Sequence, residues 1–203
     1  MRKPRDGEST KKLVIIAAKE VFAERGYSGS SLAMISEKSG ISNGLILYHF
    51  KSKENLYKVV LESLAKEYYE TIAHHANPSS RPEEQMQEML QATFQYWSED
   101  ASYNRISTWA YLENRPEFVS EEIKLTAGLA AKITEMQAEG RFDPRFSPIV
   151  LLSMTIGPIL FWIRHRELFK EALRLDTSMD ELNAFFLGEY TDLIKKLYKP
   201  FVP

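Results

Sequence analysis

Cysteine is absent from this chain, so it can build neither a disulfide framework nor a thiolate metal site. A reducing compartment is compatible with that absence. Histidine is nearly as scarce, with four in 203 residues. His74 and His75 are adjacent, so on a helix they point about 100° apart, and neither has an acidic or histidine partner four residues on. His49 and His165 stand far apart in the sequence. There is no Gly-rich phosphate loop and no nucleophile elbow. These absences argue against metal, phosphoryl and acyl-transfer chemistry, and the expectation is a protein that is not an enzyme and needs no cofactor and no metal.

Long apolar runs are also missing. Residues 148–163 form the one extended stretch, short of the roughly 20 residues that span a bilayer, and Arg164, His165 and Arg166 close it. A buried helix is the better expectation. The first ten residues, MRKPRDGEST, contain no apolar segment and so do not read as a secretory signal. A soluble, cytoplasmic protein is expected, long enough for one or two domains with a substantial core.

The net charge of −2 conceals an asymmetry. Residues 1–58 carry eleven Lys and Arg against six Asp and Glu, a balance of +5, whereas residues 59–203 carry −7. Attraction to a polyanion grows with each phosphate neutralised, so the basic part is the candidate for contact with nucleic acid. Arg2, Lys3 and Arg5 could extend it as an arm along DNA, or form a tail that touches nothing.

The basic part also holds the most informative segment, SLAMISEKSGISNGLILYHF at residues 31–50, followed by KSKENL. It reads as two short helices around a tight turn. Ser31 caps the first, Leu32, Ile35 and Ser36 give its inner face, and Gly40 supplies the left-handed C-terminal cap. Ile41 fills the space between the helices. Ser42 caps the second helix, and Asn43, Gly44 and Leu45 form its first turn, where free backbone N–H groups and the positive dipole end suit a phosphate. Asn43 is the candidate base reader, because its amide can pair with an adenine edge, and Gly44 removes bulk where backbones approach. Tyr48, His49, Lys51 and Lys53 can donate to phosphates. The pattern is a helix-turn-helix, a motif whose second helix enters the major groove. Asn43-Gly44 is also a hairpin signal with LILYHF as a following strand, but SEKSGIS on its left does not alternate and offers no partner strand.

Together with VIIAAKEVFAERGYSGSSL at residues 14–32, carrying Phe22, Gly26 and Ser31, and ISNGLILYHFKSKENL at residues 41–56, this segment resembles the TetR family of bacterial transcription regulators. The resemblance covers roughly the first 60 residues. Where the family most often has a phosphate-contacting tyrosine, this chain has Leu47 followed by Tyr48, so either Tyr48 substitutes in part or one contact is missing. The resemblance implies a ligand-responsive repressor, a homodimer on a palindromic duplex-DNA operator, and a small-molecule effector bound in the second domain.

The rest of the chain reads as helix. Val14, Ala17, Ala18, Val21 and Phe22 share one face, ended by Gly26. Ser52 caps a long helix whose Leu56, Val60, Leu64, Tyr68 and Ile72 recur every four residues to about His75, ~35 Å at 1.5 Å per residue. Asn77-Pro78-Ser79-Ser80 breaks the pattern, and Ser80 with Glu83 forms a capping box for a helix to about Trp97. Shorter and longer helices follow from Tyr103 to Asn114 and from Pro116 to near Gly140. Asp143 is the expected N-cap of a helix opening at Pro144, with a kink expected at Gly157-Pro158. Ser178 and Glu181 make a capping box for the last helix. The consequence is an all-α bundle of about nine helices, divided into a DNA-reading domain at 1–56, a linking helix at 53–75, and an effector-binding and dimerisation domain at 57–203.

Aromatic residues and methionines concentrate in the acidic part. Met89, Phe94, Trp97, Tyr103, Trp109, Tyr111, Phe118, Met154, Phe161 and Trp162 are candidates to line a small-molecule pocket, with plain core as the competing explanation for each. The two apolar helices at 144–163 and 179–198 are the expected dimer interface, against packing within one monomer.

Overall fold

A computed structural model describes residues 7–75, 82–115, 120–140 and 143–197. The described residues form nine α-helices and no strand: α1 (Gly7–Arg25), α2 (Leu32–Ser39), α3 (Asn43–Phe50), α4 (Lys53–His75), α5 (Pro82–Glu99), α6 (Ser102–Leu112), α7 (Ser120–Ala138), α8 (Pro148–Ala172) and α9 (Met179–Leu197). The all-α architecture expected from the periodicity is what the chain adopts. The Ser80–Glu83 capping box, the start at Pro116, Phe118 and the basic residues at 2–5 fall outside the described residues or side chains.

The helices gather into two compact units that do not follow chain order. One comprises residues 1–67 and 101–123, the other residues 68–100 and 124–203. A division at residue 56 therefore falls inside α4, and α6, far downstream, joins the first unit. The reason is specific bonding. Tyr57, fully buried, donates its hydroxyl hydrogen to the carbonyl of Ile106 on α6 at 3.1 Å, and Arg105 Nε donates to the carbonyl of Ala23 at 2.9 Å. Around them Val14, Phe22, Ile35, Ile46, Leu56 and Ile106 form a closed core. The edge of the Phe22 ring meets Tyr57 at a centroid distance of 4.7 Å, a favoured aromatic geometry.

In the second unit Met86, Leu90, Phe94, Leu151, Ile159, Tyr190 and Ile194 form the core where α5, α8 and α9 meet. Pro158 lies inside α8, where it cannot donate a hydrogen bond to the carbonyl of Met154, four residues earlier. The Tyr190 hydroxyl of α9 donates to that Met154 carbonyl and lies 3.1 Å from the carbonyl of Thr155. The helix is continuous through the proline because a neighbouring side chain takes the acceptor the proline leaves free.

Two expectations for α8 are corrected. It begins at Pro148 after Ser147, not at Pro144. The Asp143 carboxylate instead accepts from the backbone N–H of Arg145 at 2.9 Å and from its guanidinium at 2.6 Å, which holds a turn. Pro148, not Pro144, occupies the first helical position, where a missing N–H costs nothing. Nor is α8 buried: by length and composition it could cross a membrane, but only 22% of its apolar window is buried. Leu151, Thr155 and Ile159 face inward, whereas Ile149, Met154, Phe161 and Leu168 are exposed.

Candidate nucleic-acid interface

Short-range capping builds the reading pair. Ser31 Oγ accepts from Met34 N at 3.2 Å, satisfying an N–H group that the first turn of α2 leaves unpaired. Gly40 ends α2 at φ 66°, in the left-handed region that glycine enters without steric cost. Ile41 is buried in the turn between the helices. Ser42 Oγ then accepts from Leu45 N at 3.3 Å, starting α3. Asn55 N donates to Ser52 Oγ at 3.0 Å and starts α4.

Eight-residue α3 is anchored along one edge. Ile46 and Phe50, one turn apart, are buried, while Ser42, Asn43, Gly44, Leu45, Leu47 and Tyr48 are exposed. Nothing lies within 4 Å of where a Gly44 Cβ would be, so the backbone there is open to close approach. Tyr48 is 68% exposed, and Lys51 Nζ donates to its carbonyl at 2.8 Å from a position where the ammonium stays in solvent. His49 is half-buried, with its ring edge-on to Tyr48 and Phe50. The arrangement offers a capped helix N-terminus, an amide, a phenol and cations on one free surface, which is the equipment for phosphate contacts and base-edge contacts.

Lys53 is placed differently from the phosphate-facing position expected of it. Its ammonium donates to the carbonyls of Tyr27 at 2.8 Å and Ser30 at 2.9 Å and lies 4.2 Å from the Tyr27 ring centroid. Burial pushes its pKa down, the nearby Glu113 carboxylate pulls it back up, and the Arg115 charge lowers it further. This lysine holds the α1–α2 turn. Sequence reasoning also missed Arg105, Glu113 and Arg115, which serve the same unit from more than 80 residues away in the chain. No local pattern signals such a role. Leu45 and Leu47, at 40% and 41% exposure, add an apolar element to the α3 surface suited to a thymine methyl group.

The expected pocket residues do not converge on one cavity. Tyr103 is buried in the first unit, Trp109 packs against Gly26 there, and Tyr111 is 82% exposed. In the second unit Phe94 and Trp97 are core, Met154 is exposed, and Phe161 and Trp162 line an open cleft of about 1060 Å³ between α8 and α9. Met89 alone of the set lines the enclosed cavity of about 40 Å³ formed with Tyr68, Ile72, Thr93, Leu129 and Thr155. Burial pushes the Tyr68 phenol up, offset in part by hydrogen bonding with Thr93 and Trp97. Among the described residues no group of three or more His, Asp or Glu side chains is placed to hold a metal ion.

Residues 14–60 match the family model described as bacterial regulatory proteins, tetR family. The transcriptional regulator TtgR of Pseudomonas putida is 27% identical over 182 residues, covering 80% of this chain and 84% of that protein. The regulator RutR of Escherichia coli is 36% identical over 63 residues, 31% of this chain. Among solved structures, SCO4942 of Streptomyces coelicolor superposes with a TM-score of 0.75 at 22% identity, over 95% of this chain and 100% of that one. A tetR-family regulatory protein of Rhodococcus RHA1 gives 0.70 at 16% identity, over 95% and 98%. The helix-turn-helix built on α2 and α3 coincides with the match of residues 14–60, so these residues form a DNA-binding domain of the tetR family, and the solved structures share the fold of nearly the whole chain.

Proposed function

We propose that this regulator is a cytoplasmic homodimeric repressor, with the α3 helices of its two copies reading a palindromic operator and a small-molecule effector releasing it. The observation that carries the reading is the anchoring of α3 by Ile46 and Phe50, which leaves Asn43, Gly44, Leu47 and Tyr48 free on one face. Asn43 reads a base edge. Ser31, Ser42, the first-turn amide at Gly44, Tyr48, His49 and Lys51 hold phosphates. One such helix covers few base pairs, and a two-fold pair about 34 Å apart reads successive major grooves. The exposed Phe161, Phe185 and Leu193 on α8 and α9 supply the apolar surface for pairing two copies.

The enclosed cavity in the second unit supports an uncharged effector, since none of its described lining residues is charged. At about 40 Å³ it is far below the roughly 300–1,000 Å³ of ordinary ligand sites, so binding requires the helices around it to part. An effector that binds only the parted form shifts the population by its differential affinity. The α4 helix, continuous from Lys53 to His75, is the covalent path from that cavity's Tyr68 and Ile72 to the reading pair.

The test is selection of duplexes from a random-sequence pool by the full-length protein, followed by titration of the enriched duplex. A palindromic enriched site, weakened by Asn43→Ala, is the expected result. Retention of every duplex alike would overturn sequence-specific reading.

A further inference from the structure

The turn between α1 and α2, residues 26–30, is held from two sides by opposite charges. On one side Glu113, just past the end of α6, presents both carboxylate oxygens to backbone donors: Tyr27 N at 3.2 Å and Ser28 N at 2.9 Å. On the other side the Lys53 ammonium takes the carbonyls of Tyr27 and Ser30. The carboxylate collects the turn's N–H groups and the ammonium collects its C=O groups. Arg115 adds its guanidinium over the Tyr27 ring at 5.0 Å. Gly26 makes the approach possible. Its φ of +68° is left-handed, and a Cβ there would sit 2.6 Å from Glu113 Oε1 and 2.9 Å from the Trp109 ring, so α6 can close on the turn only where this residue has no side chain.

This turn sets how α2 leaves α1. Ser30 Oγ donates to the Tyr27 carbonyl at 2.7 Å, and the next residue, Ser31, is the N-cap of α2. Because α2 packs on α3 through Ile35, Ile41 and Ile46, all buried, the direction of α3 depends on the direction in which α2 starts. We propose that Glu113, remote in sequence from the helix-turn-helix, is a positioning residue for DNA reading: its carboxylate fixes the α1–α2 turn and thereby the aim of α3. Glu113 lies outside the 14–60 match, since the acceptor comes from the end of α6.

The sign of the effect separates positioning from bulk charge. Removing a carboxylate from a DNA-binding unit strengthens attraction to a polyanion, whereas loss of positioning weakens specific binding. The experiment measures affinity of the full-length wild type, Glu113→Ala and Glu113→Gln for the duplex that wild type enriches from a random pool, across a salt series. Hydrogen exchange of the Tyr27 and Ser28 amides is read in parallel without DNA. Glu113→Ala, which leaves two N–H groups without a charged acceptor, is expected to bind about tenfold more weakly. Glu113→Gln, with one acceptor oxygen, falls between. The slope against salt stays the same, because no phosphate contact is lost, and exchange at Tyr27 and Ser28 speeds up. Glu24→Gln, which neutralises an exposed carboxylate of the same unit paired with Arg25, binds as tightly as wild type or tighter.

Equal or tighter binding by both Glu113 variants overturns the proposal, as does unchanged exchange at the two amides. If Glu113→Ala does not fold, Glu113→Gln carries the same comparison, and its binding at wild-type strength with wild-type exchange is equally contrary. The proposal rests on DNA reading by α3. A wild type that enriches no duplex overturns both, whereas a wild type that binds with indifferent Glu113 variants overturns the positioning role alone.

Discussion

In the first unit Phe22, Ile35, Ile46 and Tyr57 are shut away completely, while in the second α8 and α9 expose Phe161, Phe185 and Leu193 by 54%, 67% and 51%. The polar bonding differs in reach. Turns of the first unit are tied by Lys53, Arg105 and Glu113 from far along the chain, whereas in the second the turn at Asp143 and the cap of α9 at Ser178 are held by residues two to four positions away, with Tyr190 serving the carbonyl freed by Pro158. A unit that must present α3 in a fixed direction has its backbone tied at many points. The second unit, proposed to accept a second copy and a ligand, keeps apolar surface open on α8 and α9 and holds a small cavity beside Tyr68 and Met89.

That contrast can be broken most forcefully in the first unit's core. Phe22→Ala removes a fully buried ring that meets Tyr57, and a loss of about 3–5 kcal/mol in unfolding free energy is expected, measured by denaturant titration. The matching change on the other side is Phe185→Glu with Leu193→Glu. Both positions are exposed in the single chain, so circular dichroism should be unchanged, while sedimentation equilibrium is expected to show the proposed dimer dissociating at least tenfold more readily, on the order of the effect of losing an apolar interface anchor. Unaltered self-association would contradict the assignment of α8 and α9 as the paired surface.

Smaller effects sharpen the comparison. Tyr190→Phe keeps the ring and removes only the donor to the Met154 carbonyl, and a cost of about 1–3 kcal/mol is expected from an acceptor left unpaired, visible as a lower thermal midpoint. Smallest is the pH response of the α9 cap. Glu181 accepts from Ser178 N and Oγ and from Thr177 Oγ1, and the Ser178 backbone bond, then the Ser178 and Thr177 hydroxyls, lower its pKa. A carboxyl whose folded pKa lies below its unfolded value contributes stability that is present above the unfolded value and lost as pH falls through the folded one. Thermal scans from neutral to acidic pH should therefore show a loss of stability that is shallower in Glu181→Ala than in wild type.

Local chemistry was the legible part of this molecule. The caps at Ser31, Gly40, Ser42, Ser52 and the Ser178–Glu181 box each involve residues within four positions of one another, so side-chain type and spacing suffice to read them. The first proline after Asp143 misled for a physical reason: the aspartate found a stronger partner in Arg145, and the same proline rule was met four residues later at Pro148. Lys53 looked like a phosphate contact because its charge is visible in the sequence, but the carbonyls of Tyr27 and Ser30 that take it are set by the fold. The aromatic residues of α6 were read as pocket because composition does not say which unit a helix packs on. Tyr103 and Trp109 turned toward the reading unit. The exposure of α8 was not legible, because an apolar stripe that packs within one chain has the same sequence pattern as one left open for a second copy, and both were expected of this helix.

The measurement that bears most directly on the whole account is the comparison of wild type and Asn43→Ala on the duplex enriched by wild type and on a single-base variant at the contacted adenine. Wild type is expected to discriminate between the two by about 1–3 kcal/mol, and Asn43→Ala to lose that discrimination while keeping the salt dependence set by its phosphate contacts. Discrimination undiminished in Asn43→Ala, or no discrimination by wild type at any position of the site, would contradict the reading of base edges by the leading turn of α3.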